Sequence, residues 1–173
     1  VGVSEVTVFG TVTGTFSEPV YNMKPPKGSD IVARLGLYAA LYPTFINVRV
    51  DPIDYSIVAS LEGAPAASGL VAATTTLWGV PAAPIHDELR LTPLEGLNNE
   101  TPSGGREANL PEAPFMTNPT DCTTERELEV TARSYQLGNQ ESKLTTSFPQ
   151  IIGCDKLVFS PVFNAVPTNT EAA

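Results

Sequence analysis

Residues 4–16, "SEVTVFGTVTGTF", alternate between two sets of side chains, and this period of two constrains the fold more than any other feature. Val6, Val8, Val12 and Phe16 fall on one side, and Thr7, Phe9, Thr11, Thr13 and Thr15 on the other. A helix would scatter both sets around its circumference. The stretch is therefore predicted as a strand or hairpin, with Gly10 or Gly14 at a bulge.

The same period returns along the chain. In 31–42, Leu35, Leu37, Ala39 and Leu41 alternate with Arg34, Gly36, Tyr38, Ala40 and Tyr42. Its Ala and Leu content would suit a helix, but Gly36 sits mid-way and Pro43 closes it, so a strand is expected. "TFINVRVD" (44–51) sets Phe45, Asn47 and Arg49 against Ile46, Val48 and Val50. Further strands are expected at 54–63, after the turn-forming "DP", and at 70–80, rich in β-branched residues. "ELEVTARSYQL" (127–137) and "ESKLTTSFPQI" (141–151) read as a hairpin joined by "GNQ". Residues 156–167 read as extended, limited to edge pairing by Pro161 and Pro167. Sixteen prolines and thirteen glycines work against long helices.

These segments imply an all-β chain of about eight to ten strands with at most one short helix, arranged as a β-sandwich of Greek-key or jelly-roll kind. At 173 residues, 1–173 suits a single domain. One stretch, 81–113, shows little periodicity and is expected to be a long irregular loop, beyond what compact domains usually carry.

Charge narrows the function classes. Only 17% of residues are charged, the net charge is −9 and there are four lysines. Nucleic-acid binders need a basic face to displace counterions, and anionic bilayers attract basic segments, so neither partner is expected. No run reaches the roughly 20 apolar residues that cross a bilayer, so membrane insertion is not expected. The chain starts without Met or a signal-type segment and ends on "PTNTEAA". A mature product, or a domain of something longer, is expected.

Cys122 and Cys154 lie 154 − 122 = 32 positions apart and match no zinc or CxxC spacing. A disulfide in an oxidising compartment and a pair of buried thiols are both open readings at this point.

Four phrases then carry a resemblance, in order: "YNMKPPKGS…ARLGL" (21–37), "TTLWGVPAAPIHDELR" (75–90), "APFMTNPTDC" (113–122) and "IIGCDKLVFSPVF" (151–163). Together the chain resembles an uncharacterised β-rich domain of large secreted or cell-surface actinobacterial proteins. That domain carries a WGVP…HD…R segment and a PT-x-C…GC-x-x-L-x-F-x-P signature. Here the spacing before the Ala33-Arg34 pair is lengthened. The resemblance implies export, a β-rich fold and a Cys122–Cys154 bridge. It supplies no catalytic residue.

Trp78 and His86 are the only residues of their kinds. A hydrolase would need His86 oriented by a carboxylate and touching a nucleophile. In an extended chain Asp87 points away from His86, and no GxSxG elbow exists. His86, Asp87 and Arg90 are therefore expected to form a structural polar cluster, with Trp78 capping a sheet. Oxygen ligands for Ca²⁺ could come from Asp51 with Asp54, or Glu95 with Glu100, but turn formation explains these residues better and no metal is assigned. Glu125, Glu127 and Glu129 are read as a solvated strand face rather than a glycosidase pair. Among the aromatics (Tyr21, Tyr38, Tyr42, Tyr55, Tyr135, Trp78), the candidate ligand-binding residues are Trp78, Tyr38 and Tyr42. The "NET" sequon at Asn99 and a Lys143 or Lys156 isopeptide bond are not assigned roles.

The expected function is a non-catalytic structural or adhesive domain, or a subunit, of an extracellular or cell-surface assembly, without cofactor. Its partners would be other domains or copies of the same protein. A carbohydrate-binding module recognising surface glycans is the alternative, and a hydrolase ranks third.

Overall fold

A computed structural model describes residues 1–10, 12–39, 41–61, 64–98, 106–134, 140–158 and 160–163. They gather into two compact units, Val1–Thr117 and Asn118–Ala173.

The first unit is an antiparallel sheet of β1 (Gly2–Phe9), β2 (Thr13–Met23), β3 (Ala33–Ala39), β4 (Tyr42–Val50), β5 (Ile57–Leu61) and β6 (Leu70–Leu77). The spatial order is β5-β4-β3-β2-β1-β6. Strand β2 serves two neighbours in succession. Thr13–Val20 pair with β1, and Tyr21–Met23 pair with β3. The sheet curls about this long strand, so that β1 and β3 contribute to one core. Val6, Val8, Leu37 and Ala39 form its centre, and Phe16, Ile46 and Leu70 pack against them. The alternation of β1 places Gly2, Ser4, Val6 and Val8 on the buried face.

Local details depart from the sequence reading for physical reasons. The expected strand at 31–42 is a hairpin that turns at Leu41, and Ala40 lies outside the described residues. Pro43 does not end the strand but sits within β4, opposite Tyr38. Strand β5 covers only Ile46–Val50, so at Pro43 β4 has a single neighbour and tolerates a missing N–H. The bulge is not at Gly10 or Gly14. Thr7 pairs with Ala72 and Val8 with Leu70, which leaves Val71 as the extra residue, on β6. Residues 81–113 contain order without periodicity: a 3₁₀ turn at Pro84–Leu89 and a one-turn helix, α1 (Pro93–Leu97).

Helix α1 is set by its ends. The Thr92 hydroxyl accepts from the Glu95 N–H, the Glu95 carboxylate accepts from the Thr92 N–H, and Pro93 holds the first turn. The helix packs on β2 through Gly96. A Cβ there would lie 2.5 Å from the Ser17 carbonyl oxygen and 3.1 Å from Glu18 Oε2.

The second unit holds a hairpin of β7 (Glu127–Arg133) and β8 (Glu141–Ser147), as expected from the alternation. Cys122 and Cys154 are joined by a disulfide. Beyond it, Cys154–Lys156 form a 3₁₀ turn, and the described residues of 157–163 carry no strand. Residues 138 and 139 of the hairpin turn, and Tyr135, lie outside the described residues.

Candidate functional site: an aromatic and guanidinium knot

Trp78 follows β6 directly and extends its ladder, donating its N–H to the Val1 carbonyl. It is 6% exposed. The chain then folds back through Pro81–Ala83 into the 3₁₀ turn, where Pro84 fixes the first position. This turn lays the His86 ring flat on Trp78, with centroids 4.4 Å apart and planes 2° from parallel.

Asp87 and Arg90 are also brought together. The Arg90 Nε donates to Asp87 Oδ1 at 2.9 Å, with both side chains largely buried. Its Nη2 donates to the Pro81 carbonyl at 2.7 Å and the Ala83 carbonyl at 3.2 Å. The guanidinium carbon lies 5.5 Å from the Trp78 ring centroid. One planar cation thus ties the entry and exit of the turn to the aromatic stack. Asp87 does not point away as it would in an extended chain. In a 3₁₀ turn residues three apart share a face, which is why Asp87 meets Arg90.

The Nε and Nη2 donors of Arg90 go to a carboxylate and two backbone carbonyls. Arg90→Lys is expected to cost about 1–3 kcal/mol, because an ammonium cannot reach two carbonyls and a carboxylate in this fork geometry. Trp78, the only tryptophan, reports the loss as a red-shifted emission maximum; an unchanged spectrum and melting temperature would count against the knot.

A second cluster lies alongside. Arg106 grips Glu95 with two bonds of 2.7 Å and donates to the Arg90 carbonyl at 3.1 Å. These bonds, then those from Thr92, hold the Glu95 carboxyl at about 2. The oxygens considered for Ca²⁺ are therefore engaged by a cation, and Glu100 lies outside the described residues, as does Asn99. Asp51 Oδ1 accepts from the Ile53 N–H at 2.7 Å and Asp54 Oδ1 from the Ser56 N–H at 2.9 Å. Both aspartates shape a turn that carries Tyr55 at φ +60°.

The candidate ligand-binding aromatics do not form one strip. Tyr38 pairs with Pro43 and Tyr42 with Ala39, so successive positions put the two rings on opposite faces of the β3–β4 hairpin. Tyr38 lines an open apolar cleft of about 250 Å³ with Leu41, Pro93, Leu94 and Leu97. On β7, Glu127 and Glu129 are exposed, and Glu129 accepts from Lys143 Nζ at 2.7 Å.

One further ionisable group is buried, on the neighbouring strand β2. Glu18 lies opposite Ser4 on the buried face and is 0% exposed. Neither carboxylate oxygen has a hydrogen-bond partner among the described residues. Burial alone pushes its carboxyl up to about 7. Its neighbour Ser4 turns its hydroxyl to the Thr75 hydroxyl instead, at 2.9 Å.

Comparison of the chain with protein-family models, curated proteins and solved structures found no match.

Proposed function

We propose that this chain is a non-catalytic structural or adhesive domain, or a subunit, of an extracellular or cell-surface assembly, akin to the actinobacterial surface domain that its motifs resemble. The observation that carries this reading is the set of unpaired sheet edges. Strands β5 and β6 flank the curled sheet with no further neighbour among the described residues. Ile57, Val58 and Leu61 on β5 and Val71 on β6 are exposed there. Open edges of this kind recruit strands from other chains.

The remaining features support the same reading. Asp87 and Arg90 are occupied in holding a turn, and the His86 ring lies stacked on Trp78. The disulfide suits an oxidising compartment. No described helix is long and apolar enough to cross a membrane. After the β1–β5 meander, β6 crosses back to lie beside β1, as the last strand of a Greek key lies beside its first, and this supports the sandwich-like reading.

Sedimentation velocity of the full chain, from micromolar to millimolar, is expected to show concentration-dependent association. A strictly monomeric chain would overturn the assembling role. The alternative of a carbohydrate-binding module draws on the Tyr38 cleft, and a glycan-array signal abolished by Tyr38→Ala would shift the assignment to it.

A further inference from the structure

Hairpin β7–β8 has two chemically distinct faces. Leu128, Val130, Ala132 and Leu144 share one face, while Glu127, Glu129, Arg133, Glu141 and Lys143 share the other. The charged face is already knitted: Lys143 holds Glu129 and Arg133 holds Glu141. The apolar face is bare, with Leu128 and Val130 each 50% exposed and Leu144 66%. Two strands with an uncovered apolar face are marginal in water, and a third and fourth strand remedy this.

We propose that β7 pairs antiparallel with β7 of a second copy, across a two-fold axis at Val130. The deciding observation is charge complementarity in the sequence of β7. Antiparallel self-pairing about Val130 sets Glu127 opposite the second copy's Arg133, twice by symmetry. Glu127 has no ion-pair partner among the described residues, so this contact meets an open valence. The same register sets Val130 against its own image and Leu128 against Ala132. All opposed residues then lie on matching faces, as antiparallel pairing requires.

Other registers match less well. Centring on Glu129 puts two carboxylates face to face. Centring on Thr131 shortens the ladder and sets Glu129 against Arg133, both of which already hold partners within the hairpin, whereas the Val130 register brings in the unpartnered Glu127 beside Arg133. Self-pairing of β8 about Leu144 sets Glu141 against Ser147 and Lys143 against Thr145, with no opposite charges meeting. The product of the favoured register is a four-stranded sheet, β8-β7-β7-β8, with one continuous apolar face and one ion-paired face. An isologous contact of this kind closes on itself.

This inference rests on the assembling role proposed above, and the test separates the two. Sedimentation equilibrium is run on the full chain as wild type, as Glu127→Arg, as Arg133→Glu and as an equimolar mixture of the two variants. The wild type is expected to dimerise. Each variant alone faces two like-charge pairs and is expected to associate at least about tenfold more weakly. The mixture is expected to recover a heterodimer, because every new charge then faces an opposite one. Recovery on mixing also shows that neither variant has merely unfolded. If the wild type assembles and the variants assemble equally well, or if mixing restores nothing, the β7 contact is overturned while the assembling role stands. A wild type that stays monomeric overturns both.

Discussion

Replacing Cys122 and Cys154 by serine is expected to melt the β7–β8 unit while the six-stranded sheet survives. Every residue of β7 and β8 is exposed, so the hairpin has little burial to hold it. The bridge closes a separation of 32 residues around it. In the chain-entropy model a loop of that size contributes roughly 3–4 kcal/mol, more than an isolated hairpin musters by itself. The local bonds of Asp121 to Thr123, Thr124 and Arg126 order the turn beside Cys122 but do not reach Cys154. The core of the curled sheet draws on Val6, Val8, Leu37 and Ala39, all in the first unit. Hydrogen exchange should therefore show amides 127–133 and 141–147 losing protection while those of β1–β4 keep theirs. Slow exchange in the hairpin of the serine variant would refute the assignment of its stability to the disulfide.

The second large effect concerns Glu18. Raising the pH from 5 to 8 is expected to cost about 3 kcal/mol of stability through this one carboxyl. The sign follows from proton counting. Its ordinary value is 4.5, and the folded chain raises it to about 7. Between those values the folded state holds a proton that the unfolded chain has released. Stability therefore falls as pH rises through that window, and the full loss is present above about 7. Glu18→Gln removes the titrating group and should flatten the difference between the two pH values, measured by urea denaturation. If the variant and the wild type lose stability in parallel, Glu18 is not the source. Gly96 of α1 lies directly against this carboxyl, so the ionised group meets the helix backbone rather than water.

Much of this architecture was legible because alternation is a physical consequence of a strand with one buried face. The valines of β1 and the leucines of β3 announce their burial by spacing alone. The hairpin β7–β8 was legible from its own alternation of charged and apolar residues, although neither of its faces is buried. The order inside 81–113 was not, because a 3₁₀ turn and a single helical turn are too short to show a period. Their signals are local: Pro84 and Pro93 at first helical positions, and a Thr92-x-x-Glu95 capping box. Glu18 was legible in principle by parity. It occupies the same side as Phe16 and Val20, where an acid has no business being solvated, yet a lone charge amid polar neighbours reads as surface until the register is known. The pairing of Asp87 with Arg90 and the stacking of His86 on Trp78 both depend on a reversal of the chain that residue spacing does not encode.

The extra residue at Val71 makes β6 the less regular of the two outer strands. A surplus residue coils the outer strand locally and spoils the regular spacing of donors and acceptors that an incoming flat ribbon would need. Of the two open rims, β5 therefore offers the more regular set of hydrogen-bonding groups to a partner strand.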